Sequence, residues 1–125
     1  MRDVDAAAVD LALADSALAA HTGSQIYAGD APPTGWDPAT TAVVLKSRGG
    51  TTAYSDILDV SIQAKCYGAT APAAWLTYLL TYDALHETGD GVVAESLAEQ
   101  VGQQITEPST GRIYILAYFR MQIRP

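Results

Sequence analysis

Ser55-Asp56-Ile57-Leu58-Asp59-Val60-Ser61-Ile62-Gln63-Ala64-Lys65-Cys66-Tyr67 is the stretch that decides the fold. From Leu58 onward, Leu58, Val60, Ile62, Ala64 and Cys66 point one way, and Asp59, Ser61, Gln63, Lys65 and Tyr67 point the other. Alternation of period two over so long a run predicts a strand with one buried face and one wet or contact face. Gly68 breaks the run. Thr70 then offers a hydroxyl as N-cap, and Pro72 falls in the first turn, where its missing N–H costs nothing. The period changes to helical, with Trp75, Leu76, Leu79, Tyr82 and His86 in one broad stripe widened by Leu80 and Ala84. A strand and a helix with one apolar face each make half a core.

The flanking segments supply the other half. Asp3 or Asp5 caps a first helix in which Val4, Ala7, Ala8, Leu11, Ala14 and Leu18 recur at helical spacing. A break with restart is expected near Asp15-Ser16, and Gly23-Ser24 ends the helix. Ile26-Tyr27-Ala28 is a short extended segment. Two glycines and three prolines make 29–38 a surface loop, with Trp36 as its one large anchor. Thr41 to Lys46 reads as a second strand, and Arg48-Gly49-Gly50-Thr51-Thr52 as a flexible tip leading through Tyr54 into the long strand. Together they predict an antiparallel hairpin with a loop longer than a tight turn needs.

Beyond the second helix, Thr88-Gly89-Asp90-Gly91 is a stop and turn. The composition of Val92 to Thr106 allows a helix (Glu95, Leu97, Ala98, Glu99, Val101). Gly102, the β-branched residues at both ends and the hairpin that follows favour a strand, regular or bulged. Glu107-Pro108-Ser109-Thr110-Gly111 is a turn. In the last strand Ile113, Ile115, Ala117, Phe119, Met121 and Ile123 share one face. The expected fold is therefore α+β, in one domain over 1–125, with a mostly antiparallel sheet of four to five strands and two helices on one face.

Composition narrows the function. The 125 residues carry 14 Asp and Glu against 7 Lys and Arg, a net charge of −7. That balance argues against gripping nucleic acid through its phosphates, but not against DNA sliding past. The single cysteine, Cys66, allows no internal disulfide, and its place on the apolar face predicts a buried structural thiol. Asp3, Asp5, Asp10 and Asp15 do not fit the apolar core of a secretion signal. The longest uncharged stretch, Cys66 to Tyr82, reads as loop and buried helix rather than a membrane span.

No reactive constellation emerges. His86-Glu87 matches the start of a zinc-binding HExxH motif, but Asp90 stands where the second histidine belongs. The expectation is that His86 interacts with the helix dipole or packs beside Trp75. Gly49-Gly50 lacks the surroundings of a phosphate loop. Asp56 and Asp59 fall on opposite strand faces, and Asp83 with Glu87 reads as a solvated helix end. No catalytic, metal-binding or cofactor-binding residue is expected. The basic residues Lys46, Lys65, Arg112, Arg120 and Arg124 fall in predicted strands, while the acids gather in helices and turns. The outer sheet face then mixes Asp59, Gln63, Lys65, Tyr118, Arg120 and Gln122, either as an ordinary wet face or as a subunit contact.

Several phrases resemble the phage tail terminator and tail-completion proteins. They are 26–33 (Ile26 to Pro33), 43–50 (Val43 to Gly50), Leu58 to Gly68, Asp83-Ala84-Leu85-His86, and Glu107 to Gly111 leading to Arg124-Pro125. The resemblance implies a structural virion protein at the tail–head junction, made in the bacterial host cytoplasm. It implies a hexameric ring that ends tail-tube growth and joins the tail to the head connector or stopper. Its partners would be its own copies, the tail tube protein and the connector, with genomic DNA passing through the lumen unbound, and no membrane, cofactor or catalysis. The candidate interface residues are Arg48, Gly49, Gly50, Thr51, Tyr54, Asp59, Lys65, Tyr118 and Arg120. The tip Arg48 to Tyr54 would reach a neighbour or the tube, unless it is simply a disordered loop tip. The alternative is another neck ring, such as a head-completion, stopper or adaptor protein.

Overall fold

A computed structural model describes residues 3–54 and 57–124, apart from the side chains of 51–54. The N-terminal helical segment is two helices, α1 (Val4–Leu13) and α2 (Ser16–Thr22). Asp3 caps α1 by accepting from the N–H groups of Asp5 and Ala6 at 3.1 Å. The expected break occurs because Asp15 caps a new helix, its Oδ1 accepting from the Leu18 N–H at 3.0 Å. Gly23, at φ 60°, ends α2 in the left-handed conformation.

Five strands follow: β1 (Ile26–Ala28), β2 (Ala42–Tyr54), β3 (Ile57–Gly68), β4 (Val93–Thr106) and β5 (Ile113–Ile123), with helix α3 (Ala71–Leu85) between β3 and β4. They form one sheet in the order β1-β2-β3-β5-β4. Only the β1–β2 pair is parallel, joined by the 29–41 loop. The fold is α+β. Of the long strand's start, Ser55 and Asp56 lie outside the described residues.

Leu45, Ile62, Ala64, Cys66, Ile115, Phe119 and Met121 fill the core between the sheet and the three helices. Of the stripe expected on α3, Ala84 is buried and Trp75, Leu80 and Tyr82 pack half-buried against the core, but the buried face is centred elsewhere. Ala74, Thr77, Tyr78, Thr81, Ala84 and Leu85 are buried, whereas Leu76 and Leu79 are 48% and 56% exposed. Apolar residues surround this helix almost evenly, so hydropathy alone selects no face. Close approach decides it instead: small residues face the sheet, and the Thr77 and Thr81 hydroxyls donate to the carbonyls of Ala73 and Thr77 at 3.0 and 2.8 Å.

The expected flexible tip is also strand. Arg48 to Thr52 belong to β2, and Gly50, Thr51 and Thr52 stand opposite Val60, Asp59 and Leu58. The glycine pair makes a β-bulge between Ser47 and Gly50. Gly49 takes φ 95°, and a Cβ on Gly50 would lie 2.1 Å from the Asp59 carbonyl oxygen. Both positions therefore require glycine.

The segment after Gly91 is a strand, with register shifts near Val93, Ala98 and Gln100. Its outer edge is closed from α3 and the turn after it. The Tyr78 hydroxyl accepts from the Gly102 N–H and His86 Nδ1 from the Ala98 N–H, both at 3.0 Å. The Thr88 carbonyl accepts from Ser96 N–H at 2.7 Å. An edge whose donors are spent in this way is a poor template for a foreign strand.

Candidate subunit interface on the open sheet face

The sheet face away from the helices divides in two. One half is covered: Trp36 from the 29–41 loop packs with Ala42, Val44, Tyr67 and Tyr114. Trp36 meets Tyr67 edge-on at 5.6 Å, so it anchors the loop as its size suggested. The other half is bare and polar, because no loop of the described residues crosses the strands there.

Most of the expected interface residues gather on that bare half. Ser61 and Arg120 are cross-strand partners, as are Asp59 and Gln122. Arg120 makes a fork to Asp59: Nε donates to Oδ1 at 2.7 Å and NH2 to Oδ2. This bidentate contact holds the Asp59 carboxyl below its usual range and the Arg120 guanidinium above its own. Asp59 is only 8% exposed although it sits on the outer face, because Arg120 lies across it. The Ser61 hydroxyl donates to Glu99 Oε1 at 2.8 Å. Gly49, Gly50, Asp59, Ser61, Glu99 and Arg120 line one shallow depression.

Arg48 is exposed and sits 4.2 Å above the Tyr118 ring, a cation–π contact. It has no carboxylate partner among the described residues. Lys65 is not part of this group. Its ammonium donates to the Asp30 carbonyl at 2.9 Å and lies 5.2 Å from the Tyr114 ring, so it ties down the loop on the covered half. Lys46 does the same through Asp30 at 2.6 Å, which lowers the Asp30 pKa. Thr51 and Tyr54 stand opposite Asp59 and Ile57 in the ladder, and their side chains lie outside the described residues. Of the Asp56–Asp59 pair, Asp56 lies outside them too.

The remaining reactive side chains have structural settings. Cys66 is fully buried, and burial pushes its thiol up to about 12 against a weaker opposing hydrogen bond with Thr81. His21 Nε2 is 3.0 Å from Thr77 Oγ1, joining α2 to α3. His86 caps α3 and stacks on Tyr82 at 4.7 Å, rather than beside Trp75. Trp75 instead donates to Gln104 Oε1 at 3.0 Å. Among the described residues no three His, Cys, Asp or Glu side chains converge as metal ligands, and no helix is long and apolar enough to cross a membrane. Sequence reading missed the exposed Leu76–Leu79 pair, one helical turn apart on the outer side of α3.

No protein family matches the chain by sequence, and no curated protein matches it either. Solved structures do match. One chain, in a structure of the virion of a native gene transfer agent particle, aligns over 98% of this chain and 95% of its own length, with a TM-score of 0.64 and 20% identity. The two chains share a fold from end to end.

Proposed function

We propose that this chain is a structural protein of a phage-like virion, a tail terminator that closes into a hexameric ring at the head-proximal end of the tail. The observation that carries the reading is the end-to-end fold likeness to a chain from a gene transfer agent virion, with little of either chain left over. The resemblance of local phrases to those of tail terminators and tail-completion proteins supports a place at the tail–head junction.

The surface suits such work. A closed ring needs two unlike patches per subunit that fit one another. The bare half of the sheet, with Arg48, Tyr118, Arg120 and Asp59, is one. Because the β4 edge is closed from α3 and the turn after it, strand addition at that edge is disfavoured. The ring would meet the tail tube protein on one side and the head connector or stopper on the other. The net charge of −7 would let DNA pass through the lumen without adhering. The role is geometric and requires neither catalysis nor a cofactor.

The test is the mass of the purified protein by native mass spectrometry, with electron micrographs of tail preparations. A hexamer, or a monomer that becomes a ring on tube ends, supports the proposal. Copurification with heads instead of tails would assign the ring to a head-completion, stopper or adaptor role. A protein that stays monomeric and binds neither would overturn both.

A further inference from the structure

The outermost line of α3, Pro72, Leu76, Leu79 and Asp83 at successive turns, is exposed. Solvent-facing positions of a helix packed on a sheet are ordinarily polar, yet three apolar residues stand here in a row. Asp83 ends the row within the last turn of the helix, where the dipole disfavours an acid. It makes no ion pair among the described residues. Between Lys65 and Arg112 the sequence holds no lysine or arginine, so neither α3 nor β4 supplies a cation to it. The folding of the single chain explains neither the apolar row nor the acid that ends it.

The bare half of the sheet has the matching chemistry. Tyr118 and the exposed Leu97, which stands opposite Arg120 in the ladder, give it apolar surface. Arg48 lies over the Tyr118 ring with no carboxylate partner among the described residues. The two surfaces lie on opposite sides of the molecule, α3 behind the sheet and the bare half in front, so they cannot meet within one chain. Two unlike, complementary patches are what a heterologous contact between copies requires. We infer that the outer row of α3 in one copy seats on the bare sheet half of the next, with Leu76 and Leu79 against Tyr118 and Leu97, and Asp83 against Arg48. The inference rests on the ring proposed above and names its second patch. An apolar centre with charges at its margin is ordinary interface anatomy, and the charge pair fixes register more than affinity.

Charge exchange tests it, read by native mass spectrometry of the free protein and by micrographs of rings on tube ends. Arg48→Glu and Asp83→Arg should each abolish the assembly that the unaltered chain forms. Arg48→Glu/Asp83→Arg should restore it, because the pair is then re-formed with its signs exchanged. Asp83→Arg places a cation at the helix C-terminus, so its thermal midpoint should not fall, and loss of the ring is then not loss of the fold. A ring that survives both single changes, or that the double change does not restore, overturns the inference and leaves the ring itself standing. A ring that persists in Asp83→Arg but no longer binds tubes assigns the α3 row to the tail tube protein, and overturns it as well. An unaltered chain that never assembles, free or on tubes, is a separate failure: it removes the proposed ring, and this contact with it.

Discussion

Asp59 is an acid on a polar strand face that is nonetheless shielded, because Arg120 covers it. Arg120 itself remains 60% exposed, so the pair belongs near the modest surface class rather than the strongly coupled buried class. The sign of its pH dependence is fixed. The folded-state pKa of Asp59 lies below the unfolded value, so its contribution is complete above about pH 4 and is lost as pH falls through the folded value. Asp59→Asn should lower the urea midpoint at neutral pH, and the gap from wild type should narrow in acid. A gap that stays constant between neutral and acid pH would refute the pairing. Gly102 makes a steric prediction. A Cβ there would lie 2.5 Å from Ile115 Cγ2 and 2.9 Å from the Tyr78 ring. Gly102→Ala should therefore destabilise by ~1–3 kcal/mol, the usual range for overpacking. The loss is read from urea curves, and an unchanged midpoint would refute the close contact. Neither contact was legible beforehand: the sequence shows Gly102 as an oddity in a weak strand, and its partner lies 24 positions earlier on another element.

Among the elements, legibility tracked how far each pattern depends on its own residues. β3 and β5 were readable because their alternation is long and their inner faces are apolar throughout. The break between α1 and α2 was readable because Asp15 is a local cap. The failures share a cause: the deciding partner is remote in sequence. Gly49-Gly50 reads as loop from composition, yet the β3 backbone passing beside Gly50 makes it a bulge within β2. On α3 the pattern misplaces Leu76 and Leu79, because leucines outrank threonines on any hydropathy scale. The sheet instead selected small residues, and back-bonding made the threonines compatible with burial. Two substitutions separate the parts. Thr81→Val keeps the shape and deletes a donor to a carbonyl of its own helix and a weak acceptor for the buried Cys66 thiol, Sγ 3.6 Å away, so stability should change by less than ~1 kcal/mol. Thr77→Val also strands His21 Nε2, 3.0 Å away in α2, and should cost ~1 kcal/mol or more. Thermal unfolding of both variants decides it: equal midpoints would show that the His21 contact contributes no more than the weak Cys66 contact of Thr81.

For the whole molecule, the sheet is covered by helices on one face and by a single loop on half of the other. The remaining quarter is polar and aromatic-bearing, and no element among the described residues covers it as the 29–41 loop covers the other half. The class of fold and the list of residues on this quarter were within reach of the sequence, because strand alternation assigns faces. Lys65 was misgrouped because alternation says which face a residue takes, not which end of it a loop will cover. Arg48 is the best probe of whether the bare quarter is a subunit contact. It is exposed, and its one described side-chain contact is the Tyr118 ring 4.2 Å below. Arg48→Glu should therefore leave the monomer's thermal midpoint within a few degrees, since surface substitutions of this kind change stability by roughly half a kcal/mol. If the quarter joins subunits, the same change puts a like or unmatched charge into every joint of a cyclic ring, and six-fold repetition multiplies a small local penalty. The variant should run as a monomer in native mass spectrometry under conditions where the unaltered chain is a ring. Leu79→Gln, on the exposed side of α3, should leave the ring intact only if the sheet face alone makes the joint. A ring that survives Arg48→Glu and falls apart with Leu79→Gln would move the interface from the sheet to α3.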